Sequence, residues 1–195
     1  MKYRNLKSVL QSNLNQIPGW KTDRKIIVFE SDDWGSVRMP SYNTFNKLLK
    51  RGLKITDYYN RYDGLATVND LEALFKVLSS HKDCNGRNPV ITANCLVANP
   101  DFHQIKMDNF QKYKFEIFTE TLKNKKGCEN SFNLWKEGLK SGIFIPQFHG
   151  REHLNVALWM KALTENHEGT RLAFDYGFWG QETDYQSAKR KHFLA

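Results

Sequence analysis

Short apolar runs alternate along the chain with longer segments in which apolar residues recur every three or four positions. Each short run is long enough for one strand, and together they predict three strands at residues 25–30 (KIIVFE), 90–98 (VITANCLVA) and 143–148 (IFIPQF). The longer segments have helical spacing and predict helices at residues 3–15, 41–49, 69–79, 131–140 and 154–163. The remaining segments predict loops at residues 56–67 and 165–184, and the start of a fourth strand at residues 191–195.

Residues at the ends of these segments strengthen the assignment. Ser41 follows a proline and is suited to cap the second predicted helix, and Gly52 is suited to end it. Strands that alternate with helices are typical of a parallel α/β sheet or barrel. The fold class predicted from the pattern is therefore α/β.

Polar residues occur where each of the three predicted strands ends. The first strand runs into Glu30-Ser31-Asp32-Asp33, the second contains Asn94, and the third leads into His149 and His153. In folds with parallel strands, functional side chains gather at the carboxyl ends of the strands. The three clusters are therefore expected to meet on one face.

The two histidines and the adjacent acids are suited to hold a divalent cation. On a helical turn, residues four apart such as His149 and His153 have Cβ atoms about 5–6 Å apart. Two imidazoles and one carboxylate suit Zn²⁺ first, with Ni, Co or Fe(II) as alternatives, and leave positions open for water and substrate. On extended backbone Asp32 and Asp33 point in opposite directions, so one can bind metal while the other acts as a base.

Each of these features also has a simpler explanation. An Asp-Asp pair after a strand often only forms a turn, and a His-x₃-His pair occurs by chance. Asn94 fits polar lining. Arg151 is either a surface residue or, beside the two histidines, one that orders a carboxylate, and Asp63 is either a substrate contact or a residue that stabilises its loop. The joint occurrence of acids and histidines at strand ends favours the metal site.

The tryptophans also allow two interpretations. Trp34, Trp135, Trp159 and Trp179 are suited to stack on sugar rings, whereas the helical positions of Trp135 and Trp159 favour a place in the core. Trp34 directly follows the acidic pair, so it is the one among them expected to support the site or touch substrate.

Composition narrows the class of protein. The chain has 195 residues, of which 40% are hydrophobic and 13% aromatic, enough for one domain with a core. Its net charge of +8 is spread in small groups without a nucleic-acid-binding motif, so no nucleic-acid partner is expected. Three cysteines without a CxxC motif predict neither a disulfide framework nor a thiolate zinc site. No signal peptide or membrane-spanning run is visible, which predicts a cytoplasmic protein.

The motifs SDDWGS, PVITANCLV and FHGREH, in that order, resemble those of the polysaccharide deacetylases (NodB-like, carbohydrate esterase family 4), and in particular a bacterial branch of polysaccharide (de)acetylase-like proteins. The resemblance covers residues 25–195 and implies a partial, distorted (β/α) barrel. By position it implies that Asp32 is the general base and that Asp33, His149 and His153 bind the metal. A metal-dependent hydrolase that removes N- or O-linked acetyl groups from a carbohydrate is the implied function.

Two departures from the family pattern shape these expectations. Trp34 stands between the Asp pair and Gly35, where the family has Asp-Asp-Gly. The later family motifs, including the histidine that acts as general acid, have no counterpart in the sequence. The chain is thus expected to be a helical extension at residues 1–24 and the N-terminal portion of a barrel at residues 25–195. The alternative function is a catalytically incomplete carbohydrate- or partner-binding domain that keeps the barrel and its metal.

Overall fold

The computed structural model describes residues 6–56, 58–181 and 193. The strands in this part of the chain are β1 (Phe29–Trp34), β2 (Ile91–Leu96), β3 (Ala98–Pro100), β4 (Phe115–Ile117) and β5 (Phe144–Gly150). The helices in the same residues are α1 (Leu6–Gln16), α2 (Tyr42–Lys50), α3 (Tyr59–Tyr62), α4 (Val68–Ser80), α5 (Phe102–Met107), α6 (Phe118–Asn124), α7 (Ser131–Lys140), α8 (Val156–Thr164) and α9 (Glu168–Asp175).

Three of the strands form a small parallel sheet in the order β1-β2-β5. Ile91 of β2 lies opposite Phe29 on one side and Phe144 on the other. β3 and β4 form a separate antiparallel pair. The mixed α/β class and the parallel arrangement of the three predicted strands are confirmed, and the carboxyl ends of the strands lie together at one edge.

Local capping explains why the helices start and stop where they do. Ser41 accepts a hydrogen bond from the backbone N–H of Thr44 at the start of α2, as predicted. After α2, Gly52 adopts a φ of +85°, the left-handed conformation that ends a helix. At the start of α4, Thr67 and Asp70 form a reciprocal capping box. These caps set the first residue of α2 and α4 and the last of α2.

The core next to the parallel sheet lies between the sheet and the helices α4 and α7. Ala93 and Cys95 of β2 face this core, and burial raises the pKa of the Cys95 thiol to about 11. Gly138 lets α7 come close to the sheet, because a Cβ there would lie 2.8 Å from Cβ of Phe144. Asn94 alternates with the buried residues of β2, so its side chain lies on the opposite face of the sheet.

A second core lies around α8 and α9, where Trp159, Phe174 and Trp179 are fully or almost fully buried. The prediction of a loop over residues 165–184 is wrong, since α9 occupies Glu168–Asp175. Gly169 in the first turn of α9 and Gly177 after its end hide the helical pattern in the sequence. The buried face of α9, at residues 170, 173 and 174, stabilises the helix only when it packs against α8.

The first strand also differs from its prediction. It was expected to be buried at residues 25–30, but β1 begins at Phe29 and continues through the acids to Trp34. Ile27 and Val28 are 79% and 69% exposed. β1 pairs on one side only within the described residues, so the apolar run before it has no neighbouring strand there.

The remaining predictions concern the N-terminal helix and the fourth strand. The predicted N-terminal helix is α1, none of whose residues is buried. The predicted fourth strand lies outside the described residues except for Phe193, which is buried and whose carbonyl accepts a hydrogen bond from the backbone N–H of Asn155. Every helix in the described part is too short or too polar to span a lipid bilayer.

Candidate metal centre

The acidic pair lies at an irregularity in β1. The pairing of β1 with β2 shifts register between Ser31 and Trp34, and Asp33 has a φ of +64°. The prediction that both acids lie on extended backbone is therefore wrong at Asp33. A left-handed conformation at a residue other than glycine costs about 1–3 kcal/mol and is often found at functional sites. The bulge still sends the two carboxylates to different partners.

The two histidines meet across a turn rather than along a helix. His149 belongs to β5, and His153 lies in the irregular segment before α8, so the expected helical turn is absent between them. Carbonyl oxygens of Gly150 and Arg151 accept hydrogen bonds from Val97 and Ala98, which hold this segment against the end of β2. The imidazole ring centroids are nevertheless only 4.6 Å apart.

Asp33, His149 and His153 form a compact group of three ligand atoms. Oδ1 of Asp33 lies 3.0 Å from Nδ1 of His153 and 4.0 Å from Nε2 of His149. All three ligand atoms lie within 4.8 Å of one another. Ligands of a tetrahedral zinc ion stand about 3.3 Å apart, given bond lengths of about 2.0–2.1 Å. The side chains fit a metal ion with only small adjustments.

The surroundings of Asp33 also fit a cation. Its Oδ2 accepts a hydrogen bond from Nη2 of Arg38 at 3.1 Å. Its Oδ1 is buried but accepts no hydrogen bond of good geometry, even with His153 beside it. A buried carboxylate oxygen without a donor is costly unless a cation takes its place. The side chains of the three residues are 24–34% exposed, so the group is open to water and to a substrate.

The second acid has a separate partner. Nδ2 of Asn94 donates a hydrogen bond to Oδ1 of Asp32 at 2.7 Å, from β2 to β1. Asp32 itself is exposed. Asn94 thus orients a carboxylate next to the histidine cluster, a more specific role than the polar lining that its position in the sequence favours.

The contacts of Trp34, Arg151 and Asp63 are with residues other than the three ligands. Trp34 is partly buried and packs against the core, with its ring centroid 4.9 Å from that of Phe144, which favours a place in the core over stacking on a sugar. Asp63 has a carboxylate oxygen 3.0 Å from Nε of Arg38, which agrees with a loop-stabilising role.

Arg151 orders a carboxylate, as expected, and that carboxylate is the buried one of Glu152. Its guanidinium makes two hydrogen bonds of 2.6 and 2.7 Å to Glu152 and stacks over Phe115. Hydrogen bonds to Glu152 raise the pKa of Arg151. Burial, with Glu152 nearby, raises the pKa of Tyr113 as well. This group stiffens the segment that carries His153.

Arg38 is the residue of the site that the sequence did not point to. Its signal is a single arginine in the otherwise apolar segment VRMP, five residues after Asp33.

Comparison with known protein families, with curated proteins and with solved structures finds no match to this chain. A function for the chain therefore rests on the chemistry of these side chains.

Proposed function

We propose that the chain carries the metal site and general base of a hydrolase that removes N- or O-linked acetyl groups from a carbohydrate. The observation that supports this proposal is the cluster of Asp33, His149 and His153 with a separately held carboxylate, Asp32, beside it. This is the division of roles implied by the resemblance to the polysaccharide deacetylases. The same resemblance leads us to propose that the three parallel strands belong to a distorted (β/α) barrel.

The three ligands suit a divalent cation of intermediate softness. Two imidazoles and one carboxylate favour zinc, and they also accept nickel, cobalt or iron(II). When bound, such a cation supplies a Lewis acid that polarises a carbonyl oxygen and lowers the pKa of water. The side chains of the three ligands are partly exposed, as access of an acetyl group to the cation requires.

Asp32 is the proposed proton acceptor. Its carboxylate is exposed and directly precedes the proposed ligand Asp33 in the chain, and Asn94 holds its Oδ1 in place. That hydrogen bond leaves Oδ2 to take the proton as water attacks the acetyl carbonyl. The described residues thus provide a base and three cation ligands. No general acid for the leaving amine or alcohol is identified among the residues described around the cluster, so in this proposal the leaving group takes its proton from solvent water.

Acetate release from acetylated sugars tests this proposal directly. The chain, loaded with zinc, is expected to release acetate from N-acetylglucosamine oligomers or from O-acetylated xylo-oligosaccharides, and to stop when a chelator removes the metal. Acetate is measured by an enzyme-coupled assay, with the zinc-loaded His103→Ala variant as a positive control because this exposed histidine lies outside the cluster.

The same assay separates hydrolysis from simple binding. Sugar binding by calorimetry without acetate release, at saturating zinc, would favour the alternative function of a non-catalytic carbohydrate-binding domain. Neither binding nor release with both classes of acetylated sugar would contradict a carbohydrate substrate.

A further inference from the structure

We infer that Arg38 is a positioning residue that sets the orientation of Asp33 and thereby tunes the affinity of the proposed metal site. This inference rests on the proposed function, because it assumes that Asp33, His149 and His153 bind a cation. Arg38 is not itself a ligand, because its guanidinium has no acceptor atom for a cation. Its influence passes through one oxygen of Asp33.

Burial gives the first reason. Only 5% of Arg38 is exposed. A buried guanidinium is costly unless it is paired, so its position must be fixed by strong partners. Arg38 has two ion-pair partners: its Nη2 donates a hydrogen bond to Asp33 Oδ2 at 3.1 Å, and Asp63 Oδ2 lies 3.0 Å from Nε without the geometry of a hydrogen bond. One planar group therefore ties β1 to the segment that follows α3.

The indole ring of Trp179, which lies against Arg38, gives the second reason. The guanidinium carbon lies 5.2 Å from the ring centroid of Trp179, within the range of a cation–π interaction. Trp179 is fully buried, and its Nε1 donates a 2.9 Å hydrogen bond to the carbonyl of Val37. The ring is thus anchored to the residue before Arg38, and it limits the plane in which the guanidinium can lie.

The fit of Gly180 against Arg38 gives the third reason. A Cβ at Gly180 would lie 2.5 Å from Cδ and 2.6 Å from Cγ of Arg38. Asn60 donates a hydrogen bond of 2.6 Å to the carbonyl of Gly180 and keeps this backbone in place. The aliphatic stem of Arg38 is therefore confined as closely as its charged end.

These contacts have a consequence for Asp33. Its backbone is in the strained left-handed region, which persists only where surrounding contacts hold it, and the bond to Arg38 is one such contact. With Oδ2 held by Arg38, Oδ1 faces His149 and His153. Partners that orient a metal ligand in this way change metal affinity by about 10–100-fold when they are removed.

A purely electrostatic role for Arg38 predicts the opposite result. A positive charge near the cluster repels a divalent cation, so its removal would tighten binding if charge alone mattered. The variant Arg38→Lys separates the two roles, because it keeps the charge but loses the planar fork that holds two carboxylates. Positioning predicts weaker binding in this variant, and electrostatics predicts unchanged binding.

The test has two readouts on the whole chain. Zinc affinity is measured by competition with a chromophoric chelator, and Arg38→Lys is expected to bind about 10–100-fold more weakly than wild type. The second readout needs no metal. Proton–nitrogen NMR spectra of the imidazoles in the metal-free Arg38→Lys variant are expected to show His153 signals shifted from those of wild type and His103 signals unchanged. Arg87→Lys is the matched control, since Arg87 pairs with Asp83 at an exposed position.

Asp63→Asn provides an independent variant, because it weakens the hold on Arg38 without touching Asp33. Its zinc affinity is expected to lie between those of wild type and Arg38→Lys. Unchanged His153 signals and unchanged zinc affinity in Arg38→Lys would overturn the positioning role. Failure of the wild-type chain to bind zinc would instead count against the proposed metal site, and the metal-free spectra would then decide the role of Arg38 alone.

Discussion

Asp32→Asn is expected to reduce the rate of acetate release by about 10²–10⁴-fold, the usual contribution of a general base. Asparagine has the same shape as aspartate and its oxygen can still accept the hydrogen bond from Asn94. It cannot accept a proton at neutral pH. Since Asp32 is not one of the three ligands, the zinc affinity of the variant is expected to equal that of wild type. The two quantities are measured on the same preparation.

Glu30→Gln is the matched control for this prediction. Glu30 is another exposed carboxylate of β1, two residues before Asp32, and it has no assigned role in the reaction. Its removal is expected to leave the rate within a few-fold of wild type. Equal losses of rate in the two variants, or a joint loss of rate and zinc affinity in Asp32→Asn, would contradict the role of Asp32 as base.

Gly35→Ala is expected to lower the free energy of unfolding by about 2–4 kcal/mol. Two effects add at this position. Gly35 has a φ of +88°, which alanine adopts at a cost. A Cβ there would also lie 2.6 Å from the carbonyl oxygen of Leu96, a backbone atom at the end of the central strand. Urea denaturation of the metal-free chain measures the loss.

Gly52→Ala separates the two effects. Gly52 has nearly the same φ of +85°, but a Cβ there would meet no atom within 4 Å. The expected loss is therefore only about 1–2 kcal/mol, the cost of the left-handed backbone conformation for a residue with a Cβ. Equal losses at the two glycines would show that the close approach of Gly35 to β2 is not important.

The place of the candidate site follows from the sequence because it depends on topology. Apolar runs separated by helices give parallel strands, and parallel strands bring their carboxyl ends together. Asp33, His149 and His153 were therefore expected to meet, and they do. The two histidines were predicted to lie close together on a helical turn; they do lie close together, although no helical turn joins them. A strand end followed by a turn brings His149 and His153 as close as a helical turn would.

The conformation of the acidic segment depends on partners distant in sequence and could not be predicted. Val37 donates a 2.7 Å hydrogen bond to the side chain of Asn99, whose amide donates to the carbonyl of Gly35. Trp179 holds the same segment from the other end of the chain. These contacts, absent from any local pattern, produce the bulge at Asp33 and bury Arg38. Sequence spacing shows which residues meet, but not the contacts that orient them.

Zinc titration of the chain tests the central claim most directly. We expect the wild-type chain to bind one equivalent of zinc, and His149→Ala to bind it more than about 100-fold more weakly, because loss of a ligand exceeds the loss of an outer partner. His103→Ala, which removes an exposed histidine outside the cluster, is expected to match wild type. Equal zinc affinities for wild type and His149→Ala, or no stoichiometric binding by wild type, would contradict a metal site at Asp33, His149 and His153.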